Sequence, residues 1–368
     1  MSISLDTPMS VKHQQGLSLI ELLIASAIGL FLIGGVYQTF SSTRQATVLL
    51  QAEAEMQENA RFAFSVLSAS IKKAGDFGCK SSASQIITSL LKSNDKTLTP
   101  QVRVQGWEAK GSRTGDTYIA KPNASISATT TKHWLKSASL TKDKGIKSKK
   151  YSDILKVWYT KPYSVNISSL KNGVLTFPSI DLEKGNILAI NDCQGISFAQ
   201  VCECEEAGCE GSNNLAELKT CNKTNELKGL NLAVAEISVV EQAIYFVSKR
   251  ASNKRGYKNN IPSLYVRHLG KEAKPTPKQE ILEGVESLQL VYGEDTDNDG
   301  SANYYVSADA INDWNNVVSL KINLLLRSIN NNVAKGSQTI VFNGAPISIE
   351  KDDHYLRRAF TTTISLRN

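Results

Sequence analysis

Leu17-Ser-Leu-Ile-Glu21-Leu-Leu-Ile-Ala-Ser-Ala-Ile-Gly-Leu-Phe-Leu-Ile-Gly-Gly-Val-Tyr-Gln-Thr-Phe40 is the stretch that decides how this chain is built. It holds one charge and no proline. As a helix it would span about 36 Å at ~1.5 Å per residue, enough for a hydrocarbon core of roughly 30 Å. Before it lie residues 1–16, MSISLDTPMSVKHQQG, a polar leader with one Lys and one Asp. Ala25-Ser26-Ala27 resembles the small-residue cleavage site of an ordinary secretory signal. The apolar run, however, passes straight through those residues, and the leader is long and barely charged. Lys12 and Arg44 flank the run evenly, so positive charge alone does not orient it.

Glu21 is what a plain membrane anchor would not carry. A carboxylate in an apolar helix costs several kcal/mol unless it finds a partner. Glu21 lies four residues after Leu17, and a cut following Gly16 would create an α-amine at Leu17. That amine on one subunit would neutralise Glu21 on its neighbour, and the pairing would set the axial register between two helices. Gly16-Leu17-Ser18-Leu19-Ile20-Glu21 resembles the class III signal of type IV prepilins and type II secretion pseudopilins. The resemblance implies a prepilin peptidase that cuts between Gly16 and Leu17 and methylates the Leu17 amine, with Glu21 as the assembly residue. Leu17 departs from the phenylalanine usual at that position.

Beyond Phe40 the pattern becomes amphipathic. Leu49, Ala52, Met56, Ala60, Ala63, Leu67, Ile71 and Ala74 follow spacings of three and four, the mark of one helix face. Gly75 after Lys72 and Lys73 is the expected stop. The expected fold is therefore α+β and pilin-like. A transmembrane helix half (17–40) and an amphipathic half (41–74) precede a β-rich head (75–368). Short Val/Ile/Tyr/Phe-rich runs in the head predict strands at Asp116–Ala120, Asp153–Thr160, Ile187–Ile190, Ile196–Val201, Ile237–Val247 and Leu264–His268. Four more are predicted at Val285–Tyr292, Val317–Leu326, Gln338–Phe342 and Phe360–Leu366. The head is either two β-lobes or one sheet with long insertions.

Two stretches look inserted. Lys132–Tyr151 holds seven lysines with Trp134 and Tyr151, and reads as a solvated loop before it reads as a DNA-binding one. Cys202–Lys228 is polar and carries most of the cysteines. The full set is Cys79, Cys193, Cys202, Cys204, Cys209 and Cys221. Cys202-x-Cys204 is too tight for the usual zinc pair, and an even count behind an export signal favours disulfides over zinc. Their pairing is open at this stage.

Several segments resemble PilW-type minor pilins. They include Lys73-Ala74-Gly75-Asp76-Phe77-Gly78-Cys79, Asp153-Ile154-Leu155, Leu282-Glu283-Gly284-Val285-Glu286 and Tyr292-Gly293-Glu294-Asp295. Ala60-Arg61, Trp314-Asn-Asn-Val317-Val318-Ser319-Leu320, Leu326-Arg327-Ser328 and the ending Phe360–Asn368 complete the set. The resemblance implies a minor pilin that primes or supports type IV pilus assembly, with consequences for twitching motility, adhesion or DNA uptake. It would be held in the inner membrane with a periplasmic head, then carried to the pilus or cell surface, even to the tip. Implied partners are other minor pilins, the major pilin, the prepilin peptidase and a pilus-tip adhesin. A type II secretion minor pseudopilin is the first alternative, and a tip adhesin or DNA-binding module the second. A nucleic-acid partner is not expected, because a net charge of +7 is mild for 368 residues.

One loop suggests a cofactor. Asp295-Thr-Asp297-Asn-Asp299-Gly300 sets three carboxylates at alternate positions before a turn glycine, the first half of an EF-hand-type calcium loop. Position twelve is Val306 where a bidentate Glu belongs, with Asn303 and Asp309 as substitutes; an acidic turn explains the same residues. No catalysis is expected. The four histidines are scattered, and no His-Glu-x-x-His, Gly-x-Ser-x-Gly or P-loop is present.

Overall fold

A computed structural model describes residues 18–78, 86–91, 100, 102–120, 134–135, 146, 148–178, 182–204, 214–218, 221–223, 227, 229–250, 261–270, 274–334, 338–349 and 353–366. The apolar run and the amphipathic segment form one α-helix, Leu19–Ile71. Met1–Gln51 is one compact unit and Ala52–Asn368 a second. In the first unit the helix bares its apolar side chains, with Phe31 86% and Leu30 72% exposed. It is long and apolar enough to cross a membrane.

In the second unit the helix buries Ala52, Met56, Ala60, Ala63, Leu67 and Ile71, the face that the three-and-four spacing predicts. The helix ends three residues before the expected Ala74. Its last turn tightens, with Lys73 N–H donating to Ser70 O and Ala74 N–H to Ile71 O at 3.1 and 3.0 Å. Gly75 follows at φ 77°, a conformation that suits glycine. Lys72 and Lys73 thus sit just past the helix rather than in its last turn.

The head is built on an eight-stranded sheet organised around Glu236–Lys249. One edge of that strand pairs antiparallel with Ile154–Asn166; its other edge pairs first with Ile187–Asn191 and then with Pro262–His268. Helix and sheet meet where Ser70 Oγ and Tyr245 Oη lie 2.5 Å apart. A small four-stranded sheet (Ser169–Lys171, Val174–Phe177, Glu203–Cys204, Asn214–Glu217) shares a core of Leu175, Phe177, Ile190, Val201 and Ile237 with the large one. The third sheet is C-terminal and antiparallel, in the order Tyr304–Val306, Val285–Glu294, Val317–Arg327, Arg357–Ser365.

The chain passes from the large sheet to the C-terminal one at Gly284, between strands Gln279–Glu283 and Val285–Glu294. Its φ is 81°, and a Cβ there would lie 2.9 Å from Arg327 O, so only glycine turns this corner. The predicted strands are present with shifted ends. Two shrink to Ile119–Ala120 and Val341–Phe342, and the last starts earlier, at Arg357. The lysine-rich stretch departs further from expectation. Trp134 and Ile146 are core residues packed with Trp107, Ile154 and Phe246, and Trp134 Nε1 donates to Ser152 O at 3.1 Å. At these residues the stretch is folded, not a solvated loop.

Candidate functional site: the anchor helix, the head struts and the acidic loop

Four hydroxyl side chains along the first part of the helix are satisfied locally. Ser26, Thr39, Thr43 and Thr47 each donate to the carbonyl four residues back at 2.7–2.9 Å, as a helix in lipid requires. Glu21 differs. It stands exposed in the first helical turn, and no group among the described residues pairs with it. A carboxylate there complements the positive end of the helix dipole, yet is costly among apolar side chains without a partner. Gly29, Gly34 and Gly35 leave open space where a side chain would stand, so another helix can approach closely there. Gly16 and Leu17, the expected cleavage and methylation positions, lie outside the described residues.

The head is stapled by buried charge. Glu286 stands in a strand whose ten residues are all buried. Arg357 Nε donates to Glu286 Oε2 at 2.6 Å, while its Nη2 and Nη1 hold Asp353 at 2.7 and 3.0 Å. Lys149 Nζ donates to Glu286 O at 3.0 Å and to Tyr118 Oη at 3.2 Å, with Glu286 Oε1 at 3.4 Å. Burial alone would raise the Glu286 carboxyl, but Lys149 and Arg357 outweigh it and hold it at about 2. Lys149 is therefore a structural cation and not a contact for DNA, a second correction to the loop reading.

Asp153 is a strut of another kind. Its Oδ1 accepts from Ala109 N–H at 2.8 Å and its Oδ2 from Leu290 N–H at 2.9 Å, tying the large sheet to the C-terminal one. Nearby, Glu108 is buried, its Oε1 has no hydrogen-bond partner, and Tyr292 Oη also lacks one. Burial, then repulsion from Asp153, pushes the Glu108 carboxyl up to about 9. With its folded value raised above the ordinary 4.5, Glu108 contributes stability that is full below that value and lost as pH rises through about 9. Thermal melts at pH 6 and pH 9 check this. The parent loses more stability over that interval than Glu108→Gln does, and equal losses contradict the assignment.

The acidic loop brings ligand atoms of Asp295, Asp297 and Asp299 within 4.8 Å of one another. Asp295 already accepts from Asn298 and Gly300 N–H at 2.6 and 2.8 Å, Asp299 from Ser301 N–H at 2.7 Å, and Asp297 from Asn303 Nδ2 at 3.2 Å. Asp309 is engaged by Arg113 and Ser307, and Val306 lies in strand Tyr304–Val306. The loop thus has three convergent carboxylates and no further acid in place of the missing Glu.

Cys202 and Cys221 are joined in a disulfide, which removes both sulfurs from any zinc site. In the chain-entropy account, closing a loop of 19 residues contributes about 3 kcal/mol. Cys193 is disulfide-bonded as well. Cys79 and Cys209 lie outside the described residues, as does the side chain of Cys204.

A membrane-length helix, a carboxylate in its first turn that no described residue pairs with, and a β-rich head define the pilin-like class. Residues 11–37 match the prokaryotic N-terminal methylation motif, and residues 244–368 match the family of Type IV Pilus-assembly protein W. Over these two stretches the chain is similar to type IV pilin-like proteins of the PilW type. No curated protein and no solved structure matches it. The family match covers the C-terminal sheet, Glu286, Arg357 and the acidic loop. Glu286 was visible in the sequence only as part of the segment Leu282–Glu286, and its partners Lys149 and Arg357 carried no signal.

Proposed function

We propose that this chain is a minor pilin that primes or supports type IV pilus assembly from the inner membrane. The observation that carries the reading is one chain matching the methylation motif at its N-terminus and the pilus-assembly family over its last third. Residues 17–40 anchor it, the head stands in the periplasm, and the helix later joins the filament, with the pilus tip as its place. Its partners are the prepilin peptidase, other minor pilins, the major pilin and a tip adhesin. Twitching, adhesion and DNA uptake follow from the filament rather than from a site on this head. Intact-mass analysis of the chain purified from its host tests the first step. The mature form is expected to begin at methylated Leu17; a chain beginning upstream of Gly16 contradicts it.

The acidic loop is proposed as a calcium position, held by Asp295, Asp297 and Asp299, because their ligand atoms converge. Calorimetric titration of the purified chain with calcium is expected to give a saturable heat that Asp297→Ala abolishes. A flat trace for the parent makes the segment an acidic turn.

A further inference from the structure

The outer face of the C-terminal sheet is only half covered. Leu325, on that face, lies under Tyr118, Phe342 and Ile347. Farther along the same strand, the cross-strand row Val291, Lys321, Thr363 is left as the floor of a cavity of about 540 Å³. Its walls come from Arg113–Thr114, Tyr305–Ser307 and Asn343–Gly344.

The walls are held in place. Asn343, at φ 52°, donates from Nδ2 to Ser112 O at 2.9 Å, and Gly115 N–H donates to Asn343 O at 2.9 Å. Tyr305 Oη lies 3.0 Å from Ser319 Oγ, which fixes the half-exposed ring over the sheet. A Cβ on Gly293 would stand 3.0 Å from Tyr305 Cε1, so the glycine lets the ring lie that close. The charges do not cancel. Arg113 is neutralised by Asp309, which Ser307 Oγ also holds at 2.7 Å. Lys321 is exposed, and no carboxylate among the described residues pairs with it.

We propose that this cavity binds a saccharide carrying a carboxylate. Its volume falls in the ordinary range for small-ligand sites, roughly 300–1,000 Å³. The Thr363 hydroxyl, the remaining lone pairs of the Thr114 and Ser307 hydroxyls and the second Nδ2 hydrogen of Asn343 suit a polyhydroxylated ligand, and the Tyr305 ring offers it an apolar surface. Lys321 supplies one compact positive charge for one carboxylate. A nucleic-acid strand asks instead for a track of cations along its phosphates. The site is independent of the assembly role, because binding is read on the purified chain.

Calorimetry on the full chain in detergent micelles, with sodium glucuronate, glucose and inorganic phosphate as separate titrants, tests the site. Glucuronate is expected to bind saturably in the millimolar range, and glucose about tenfold more weakly. Lys321→Ala removes the preference for the acid while the melting temperature stays that of the parent, since Lys321 is exposed. Three results overturn the proposal. These are no saturable glucuronate heat, glucuronate affinity unchanged in Lys321→Ala, or phosphate bound as tightly as glucuronate, which makes the cavity a general anion site.

Discussion

Glu286→Ala destabilises the head by about 3–5 kcal/mol, because it leaves buried cations without their counter-charge. Arg357 is fully buried and divides its guanidinium between Glu286 and Asp353; Lys149, 5% exposed, uses the Glu286 carbonyl and carboxylate. Removing the carboxylate makes desolvation of both cations uncompensated, whereas the parent network is internally neutral in its main contacts. The pH dependence has a definite sign. Glu286 is held at about 2 against an ordinary 4.5, so its contribution is present above 4.5 and lost as pH falls towards 2. Chemical denaturation followed by tryptophan fluorescence measures the loss, since Trp107, Trp134 and Trp158 are buried reporters. Arg61→Ala, which breaks the exposed pair with Glu58, leaves the midpoint where it was and serves as the control. An unmoved midpoint in Glu286→Ala contradicts the strut.

Glu21→Ala abolishes assembly without touching the head. Ser26, Thr39, Thr43 and Thr47 each close a hydrogen bond on the backbone of their own helix. Glu21 instead presents a carboxyl group, without a partner among the described residues, where the helix begins. A group that costs several kcal/mol in lipid and has no partner among the described residues is best satisfied by a cation on another subunit. The α-amine created at Leu17 is the cation that the proposed cleavage supplies. Alanine removes the cost of burying the acid together with the register it sets, so the variant should insert, fold and accumulate normally. Head stability equal to the parent's separates this from a folding defect.

The helix was legible because its signals are local and redundant: apolar length, a three-and-four face and a closing glycine all concern neighbouring residues. Long strands such as Glu236–Lys249 and Val317–Arg327 were legible for the same reason, since their Val/Ile/Leu-rich runs are local signals of a largely buried strand. Short strands were not. Ser169–Lys171 and Glu203–Cys204 exist because a partner strand stands beside them, a condition that lies outside their own residues. The lysine-rich stretch misled because composition averages over its members. Trp134, Ile146 and Lys149 are each drawn into the core by groups far away in sequence: Phe246 for the first two and Glu286 for the third. Glu21 and the acidic loop could be read as motifs, whereas the cavity over Lys321 could not, since its floor and walls come together only through sheet register and two facing turns.

The most direct test of the central claim is to count surface pili, with secreted proteins assayed in parallel, in a strain that lacks the gene and carries either the parent chain or Glu21→Ala. The account predicts that the deletion loses pili while secretion stays intact, that the parent chain restores them, and that Glu21→Ala does not. Normal pili in the deletion strain, with secretion lost instead, would contradict it and assign the chain to a type II secretion system.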